Sequence, residues 1–394
     1  LMTSGSQPTP PYFTPQGRDL RVDLLRGYFV FAMVVDHVRG ASPLWFITGG
    51  NRFFVGAAEG FILTSGLVAG IVYSRLIKRD GMGSSFIRVL KRAFTLYQLT
   101  MALTLVFLPL SELLDLPWAQ GVDARSPISL LVSILTLHRT YYLVDVMLLY
   151  TVLFLLTPLA LVLIDQGKRW WVLGASWLLW GIYQIWPQYA ALPWPIAGNY
   201  VFNFSAWQVF YFTGLVLGYG RAAMPIPSPR TAHRLLILSG VLLALLIVLF
   251  YVIEPPTGAT PDQFVTTSSA GRDLRVFVED MFLNKVSERP GRLLAAAITF
   301  TFLFLATTVF WKHAHRAIGW LFLPLGQHAL YAYTAHVALV AVVAIIMAPF
   351  KLGNPGPQWL NALIQAASIA LIWLGVRFQF LSPTPRTQRL YNLA

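Results

Sequence analysis

The chain alternates between long apolar runs and short polar connections. About ten runs are roughly 17–25 residues long, the length that an α-helix needs to cross the hydrocarbon core of a bilayer. Two shorter apolar pieces, at 128–137 and 317–325, are typical of interfacial or re-entrant helices. The pattern predicts an all-α integral membrane protein with about ten transmembrane helices, over 22–39, 54–76, 89–111, 142–164, 169–187, 204–220, 234–253, 293–311, 327–350 and 358–380.

Composition agrees with a membrane location. The 394 residues are 56% hydrophobic and only 11% charged, whereas soluble domains contain about 25% charged residues. The chain has no cysteine, which excludes a disulfide framework, thiol catalysis and a cysteine-ligated metal site.

The distribution of basic residues predicts the orientation. A net charge of +13 would indicate a nucleic-acid partner in a soluble protein. Here most of the 29 Lys and Arg residues fall in alternate connections if the N-terminus is cytoplasmic, and acidic residues show the reverse. This is the positive-inside pattern. We therefore expect cytoplasmic N- and C-termini and a lipid bilayer, not nucleic acid, as the partner.

Three segments lie outside the predicted single transmembrane domain of residues 18–380. Residues 1–17 contain four prolines and no apolar run, so we expect a disordered lead. The polar segment 254–292 is the only long connection and is predicted to be an extracytoplasmic loop or lid. Residues 381–394 would form a cytoplasmic tail.

The first predicted helix carries ionisable groups where a passive span would be apolar. Arg26 and His37 are eleven residues apart, so at about 100° and about 1.5 Å per residue they share a face, roughly 16 Å apart. Charge inside a membrane is costly and usually marks a pathway or a reaction site. Alternatively, Arg26 snorkels to the interface and His37 caps the helix. Asp36 points about 100° away from His37.

Further ionisable residues are expected at the depth of His37. Glu59 opens the second predicted helix, Asp145 opens the fourth, and His336 lies near the middle of the ninth. A neutral imidazole can take a proton from a hydroxyl group, and a carboxylate can hold its other nitrogen. This combination indicates general-base chemistry. Asp23 lies near the Arg26 face.

A basic cluster surrounds the connection after the second predicted helix. Any inner loop attracts such residues, so the orientation rule alone explains it. The functional interpretation is an entrance for a phosphorylated cytosolic cofactor, because Arg and Lys suit phosphate oxygens. The cluster comprises Arg75, Lys78, Arg79, Arg88, Lys91 and Arg92.

Aromatic and amide residues are dense on the predicted outer side. Such residues form the aromatic belt of most membrane proteins. Stacked aromatics with amide hydrogen bonds also bind sugars, so an outer carbohydrate site is the alternative. The residues are Trp186, Tyr189, Trp194, Asn199, Tyr200, Asn203, Trp207 and Gln208.

Six motifs, in order, resemble those of the OpgC family. These polytopic acyltransferases are similar to the wider acyltransferase-three superfamily, and founding members add succinyl groups to osmoregulated periplasmic glucans. The Arg-x10-His spacing of Arg26 and His37 is the most specific feature. The motifs are RDLRVDLLRG…DH (18–37), AEGFILTSG (58–66), KRAFTLY (91–97), YLVDVMLLY (142–150), FNFSAWQVFYFTG (202–214) and LGQHALYAYTAH (325–336).

The resemblance implies an inner-membrane O-acyltransferase that moves a succinyl or acetyl group from cytosolic acyl-CoA to a hydroxyl of an extracytoplasmic glycan. It implies His37 as the catalytic residue, with Arg26 as its motif partner. We expect no metal, and a monomer or homodimer. The alternative class is a transporter or flippase that uses the same charges as a path. The candidate residues are His37, Arg26, Asp36, Glu59, Asp145 and His336 for catalysis; Arg75, Lys78, Arg88, Lys91 and Arg92 for the cofactor; and Asn203, Trp207, Gln208 and Asp23 for the substrate.

Overall fold

A computed structural model describes residues 10–114, 116, 126–221, 228–253, 278–347 and 357–380. These residues form α-helices, one π-helical turn at Glu279–Leu283 and two isolated β-bridges, with no strand among them. The helices are α1 (Leu20–His37), α2 (Trp45–Thr48), α3 (Ala57–Leu113), α4 (Pro127–Leu135), α5 (Asp145–Asp165), α6 (Arg169–Ile185), α7 (Pro187–Ala190), α8 (Phe204–Tyr219), α9 (Pro229–Ile253), α10 (Pro290–Val309), α11 (Trp311–Gln327), α12 (Ala329–Met347) and α13 (Gln358–Arg377).

The prediction of an all-α membrane protein is confirmed. Within the described ranges, six helices are long and apolar enough to cross a membrane, namely α3, α5, α9, α10, α12 and α13. Helices α1, α6 and α8 also coincide with predicted spans, but they have 18, 17 and 16 residues, and α1 carries several charged side chains. The structure therefore does not establish the count of ten. The cytoplasmic location of the termini stays a prediction.

Element α3 consists of two helices that meet at a kink, and these helices correspond to the predicted spans 54–76 and 89–111. The predicted polar connection between them is helical except at Gly81, whose φ of 81° and ψ of 168° interrupt the helix. A side chain would strain the backbone at this positive φ, whereas glycine adopts it freely. The basic cluster thus lies on helical turns on both sides of one joint and not on an extended loop.

Close helix packing accounts for the small residues of α3. A Cβ added at Gly66 would overlap the carbonyl oxygen of Tyr211 in α8, and one added at Gly70 would overlap that of Leu215. The glycines of α8 meet α3 in the same way, since a Cβ at Gly214 would overlap the Leu63 carbonyl. Such small-residue contacts let two backbones approach closely within a membrane.

Helix α1 is surrounded by the rest of the bundle and packs against α3, α10, α11, α12 and α13. Most of its side chains are consequently buried. We call the end of the bundle at its N-terminus the Asp19 end, because Asp19 pairs there with Arg21 and with Arg221 after α8. The opposite end, where α1 finishes and α3, α5 and α10 begin, is the His37 end.

The N-terminal residues 10–17 were assigned to the lead, and they lie against the Asp19 end. Tyr12 is buried, and its ring lies 3.6 Å from the Arg21 guanidinium carbon. Residues 1–9, 254–277 and 381–394 fall outside the described ranges, and with them most of the predicted lid and the predicted tail.

Both predicted short helices are present as helices. Helix α4 covers most of 128–137, and α11 extends the predicted 317–325 in both directions. The first residue of α11, Trp311, packs on Tyr12, and its Gly326 packs against the backbone of Asp23. Both ends of α11 therefore lie near the N-terminal part of α1.

Candidate functional site at the His37 end

The two histidines predicted at similar depth meet in the structure. The Nδ1 atom of His37 lies 3.1 Å from the Nε2 atom of His336, with the ring centroids 5.2 Å apart. His336 is fully buried, whereas His37, the last residue of α1, is half-buried. The other ring nitrogen of His37, Nε2, takes no part in this contact.

The surroundings of His336 fix its ring in place. The Tyr333 ring lies edge-on to His336, with centroids 5.5 Å apart, and stacks on Phe61 of α3. The Tyr333 hydroxyl donates a 2.7 Å hydrogen bond to the Leu143 carbonyl, just before α5. Helices α3, α5 and α12 therefore converge on this imidazole.

Asp36 takes part in a different set of contacts from His37. Its carboxylate accepts a 2.5 Å hydrogen bond from the Thr48 hydroxyl and another from the Asn51 backbone N–H. It thus faces the α2 loop, as the 100° helical offset predicted. Tyr28 reaches the same loop and donates to the Ile47 carbonyl at 2.9 Å.

Glu59 belongs to a buried ion-pair network. Its carboxylate pairs with the Arg292 guanidinium and accepts a 3.1 Å hydrogen bond from the Gly56 backbone N–H. Glu288 joins from the loop before α10, with 3.5 Å between its Oε1 and Nε of Arg292. Glu59 and Glu288 are both 0% exposed. Glu59 therefore anchors α10 to α3.

The suggestion that Glu59 or Asp145 holds the His37 imidazole is not supported by these contacts. Asp145, the first residue of α5, is buried, and its Oδ1 accepts the Val146 N–H at 3.0 Å. The described hydrogen bond of the His37 ring goes to His336 instead. The partner that holds His37 is thus a second imidazole.

Lys285 is a half-buried cation that the sequence did not single out. Its Nζ donates a 2.5 Å hydrogen bond to Oδ1 of Asn51, whose backbone contacts Asp36. It lies within electrostatic range of His37 and Asp145. Burial lowers the pKa of the Lys285 ammonium group, and the Glu59 carboxylate opposes this shift. A positive charge therefore stands beside the histidine pair.

The sequence contained a signal for this network. Lys285, Glu288 and Arg292 are spaced by three and four residues, which places them on one face of a helical turn. We assigned them to a polar lid, where ionisable residues need no special explanation. Only the fold shows that the end of this segment turns into the bundle.

Arg26 is turned into the bundle and does not snorkel. Its guanidinium carbon lies 5.8 Å from the Phe61 ring centroid, and its Nε is shielded from solvent without a hydrogen-bond partner among the described residues. Asp23, Tyr150 and Arg92 lie within electrostatic range. Arg26 is thus a buried donor between the two ends of the bundle.

Some candidate residues at the Asp19 end bond to other residues of the protein, and others are exposed to solvent. Asp23 accepts two hydrogen bonds from Arg18, at 2.6 and 2.9 Å, and so is committed to an ion pair. Arg75 donates to the Gly17 carbonyl at 2.8 Å. Lys78 and Lys91 are exposed.

The remaining arginines of the basic cluster face two directions. Arg79 and Arg88 both donate to the Asp80 carboxylate, at 2.8 and 2.7 Å. Arg92 is half-buried and lies near Arg26. The cluster therefore presents two lysines outward and one arginine toward the interior.

The comparison with known families agrees with the motifs. A family model described as OpgC protein matches residues 18–382. The chain belongs to the OpgC family. No curated protein and no solved structure matches the chain. In this OpgC protein the matched range contains the His37–His336 pair, Arg26 and the Glu59–Arg292 pair.

The three outer substrate candidates of this OpgC protein are not equivalent. Trp207 is fully buried and donates to the Val201 carbonyl at 2.9 Å. Gln208 is buried too, accepting from the Ser176 hydroxyl at 2.6 Å and donating to the Ser176 carbonyl at 2.8 Å. The structure therefore does not bring Trp207 or Gln208 to a surface, and they join α8 to its neighbours. Asn203 lines an open pocket.

Within the described part of this OpgC protein, no group of three or more His, Asp or Glu residues could hold a metal ion. The acids at the His37 end are engaged by other partners, namely an arginine, a threonine and backbone N–H groups. The ionisable residues there are arranged as hydrogen-bonded pairs.

Proposed function

We propose that the protein is a membrane-bound O-acyltransferase that moves an acyl group from acyl-CoA to a glycan hydroxyl. Membership of the OpgC family, which suggests a glucan-modifying acyltransferase, supports the reaction class. The observation that carries the proposal is the 3.1 Å contact between His37 and His336. It gives a general base a fixed orientation on a half-exposed ring.

The tautomer of His37 decides which of its ring nitrogens can act as the general base. A neutral imidazole has one N–H and one lone pair. When Nδ1 of His37 donates to Nε2 of His336, the lone pair of His37 is on Nε2, facing away from the pair. His336 then positions the base and stabilises the imidazolium that forms, as the carboxylate does in a hydrolase triad.

Transfer then proceeds in one direct exchange. Nε2 of His37 removes the proton from the acceptor hydroxyl, and the oxygen attacks the thioester carbonyl carbon. The tetrahedral intermediate collapses with cleavage of the C–S bond. The CoA thiolate takes the proton from the His37 imidazolium, which yields the ester and free CoA. An acyl-histidine route would require two separate exchanges.

The oxyanion needs a donor at the His37 end. His336 cannot donate through Nε2, because His37 engages that atom in this arrangement. The Lys285 ammonium has three N–H groups and one described hydrogen bond, to Asn51. In a water-poor site such a preoriented cation strongly stabilises developing negative charge. We assign this role to Lys285.

The donor would enter from the Asp19 end, which we place at the cytoplasmic face of the inner membrane. Lys78 and Lys91 are exposed there and suit phosphate groups of the nucleotide. Arg92 and Arg26 continue the positive charge into the bundle. The pantetheine arm would follow this line toward His37, and the glycan would approach from the other side.

A CoA-release assay tests the proposal. Purified protein is given succinyl-CoA and acetyl-CoA, with and without glucose oligomers, and free thiol and ester product are measured. We expect acceptor-dependent CoA release by wild type, and none by His37→Ala, which should retain CoA binding. The exposed His313→Ala is the matched control. Turnover by His37→Ala would refute the base role, and movement of an intact substrate without CoA release would favour a transporter.

A further inference from the structure

A pocket of about 370 Å³ opens between the end of α6 and the start of α8. Its volume falls in the range of about 300–1,000 Å³ that is typical of small-molecule sites. Tyr183 and Trp194 supply aromatic surfaces, Asn199 and Asn203 supply amides, and prolines of the 191–196 segment complete the wall. None of the described lining residues is charged. The lining suits a neutral ligand with both apolar and hydroxyl surfaces.

Two polar groups of the pocket lack the partners that they would normally have. The indole Nε1 of Trp194 is shielded from solvent and has no hydrogen-bond partner among the described residues. Asn203 occupies the N-cap of α8, where asparagine usually accepts a backbone N–H, but its side chain makes no capping bond. Asn199, in contrast, is used by the turn, because it bonds to the Phe202 backbone at 3.1 and 3.2 Å.

The pocket lies at the His37 end of the bundle. Gln184, next to Tyr183, donates to the Ser287 carbonyl at 2.7 Å, within the loop that carries Lys285. On the other side Ala197 exchanges backbone hydrogen bonds of 2.8 and 2.9 Å with His138 and Thr140. The wall of the pocket is thus tied to both loops that flank the histidine site.

Glycine is required where the pocket segment meets the loop before α5. Gly198 has a φ of 84°, and an added Cβ would overlap the carbonyl oxygen of Thr140. Only glycine permits this close approach in that conformation. The backbone contact between Gly198 and Thr140 therefore fixes the position of the pocket segment relative to the loop before Asp145.

His37 is not among the residues that line the pocket. Helix α1, which carries His37, and helix α8, which begins at the pocket, both pack against α3. One sugar ring cannot occupy both places. A ligand that uses the pocket and reacts at His37 must therefore be extended over several units.

We propose that this pocket binds a neutral sugar ring of a polymeric acceptor, at a distance from the ring that is acylated. The proposal rests on the function proposed above. Pyranose C–H faces stack on Tyr183 and Trp194, while the Asn203 amide bonds to ring hydroxyls. Binding energy from this remote ring holds the chain near His37 without touching the reacting atoms.

Binding without acyl-CoA tests the pocket directly. Glucose oligomers of increasing length are titrated onto the full-length protein by calorimetry, with Trp194→Ala, Asn203→Leu and the control Trp186→Ala. Wild-type affinity should rise with length. The two pocket variants should bind long oligomers about tenfold more weakly, the loss expected for an aromatic contact in Trp194→Ala and for a ligand hydrogen bond in Asn203→Leu. The control should match wild type, because Trp186 is exposed and outside the pocket.

Turnover gives the second readout. The pocket variants should raise KM for long acceptors at unchanged kcat and leave short acceptors unaffected. Equal affinity of wild type and both variants for every length would overturn the pocket proposal even if CoA release is normal. Length-dependent binding that the variants weaken, with no CoA release by wild type, would support the pocket and refute the acyltransferase. If Trp194→Ala does not fold, Asn203→Leu decides alone, since it removes no described hydrogen bond.

Discussion

His37 and His336 lie 299 residues apart in the chain, and their ring nitrogens Nδ1 and Nε2 approach to 3.1 Å. The contact joins the last residue of α1 to the middle of α12. It depends on the register of two helices that are held separately, α12 by Tyr333 and α1 by the helices around it. Small shifts between the two helices would break the pair before they disrupted the fold.

Replacements of His336 should distinguish the effect of its hydrogen bond to His37 from the effect of its side-chain volume. His336→Phe removes the acceptor for the His37 Nδ1–H, and we expect acyl transfer to fall about 10- to 100-fold, the loss expected for a hydrogen bond to a charged group. His336→Gln can place an amide oxygen near Nε2 and should retain more activity. The measurement is kcat at saturating donor. Equal rates for wild type and His336→Phe would contradict the positioning role.

The Glu59–Arg292 pair should be a determinant of stability. Glu59→Gln leaves Arg292 partly uncompensated in a buried site, a change that costs about 3–5 kcal/mol. The midpoint of thermal unfolding in detergent should fall sharply. The double variant Glu59→Gln/Arg292→Gln should recover part of the loss, because neither charge then remains. Arg79→Gln, in an exposed pair, is the control and should melt like wild type. If the double variant lost as much stability as the two single variants together, Glu59 and Arg292 would not be coupled.

Helix packing through glycine gives a matched comparison. Gly66→Ala should destabilise the protein by about 1–3 kcal/mol, as overpacking does, because the new methyl group would overlap a backbone carbonyl that cannot rotate away. Gly174→Ala, in α6, has no atom within 4 Å of the new Cβ. It should leave stability unchanged or raise it slightly, since alanine favours helix. Thermal unfolding of both variants checks this, and equal shifts would refute it.

Glu288 should make stability depend on pH. Burial, and then the nearby Glu59 carboxylate, raise the pKa of Glu288 well above its usual value. The folded protein keeps a proton that the unfolded chain releases above about pH 4.3, so this contribution is present at low pH and is lost as the pH rises through the folded pKa. Glu288→Gln should therefore gain in melting temperature relative to wild type as the pH rises. The exposed Glu112→Gln should follow wild type, and parallel curves for Glu288→Gln and wild type would contradict the shift.

The helical framework could be predicted because a bilayer restricts the backbone. Unpaired peptide groups are excluded from lipid, so run length alone located the helices, including α5 and α13. Run length also separated the two arms of α3, which correspond to the predicted spans 54–76 and 89–111. It could not show that the polar connection between them is helical up to a single kink at Gly81.

Helical geometry predicts how the side chains of one helix are oriented, but not which residues of different helices meet. The shared face of Arg26 and His37, and the divergence of Asp36, follow from helical geometry. The pairing of His37 with His336, and of Glu59 with Arg292, depends on lateral packing, for which the sequence has no local signal. Trp207 and Gln208 have polar atoms that suit a sugar, but only the fold shows that α8 uses them internally.

The joint at Gly81 has a mechanical consequence. No described atom lies within 4 Å of the position of a Cβ there, so packed neighbours do not enclose the joint itself. The arm before it is packed, since Gly66 and Gly70 meet the backbone of α8. The Asp80 carboxylate pairs with Arg79 before the joint and with Arg88 after it. Partly exposed ion pairs therefore restrain the joint, and added salt weakens such a restraint.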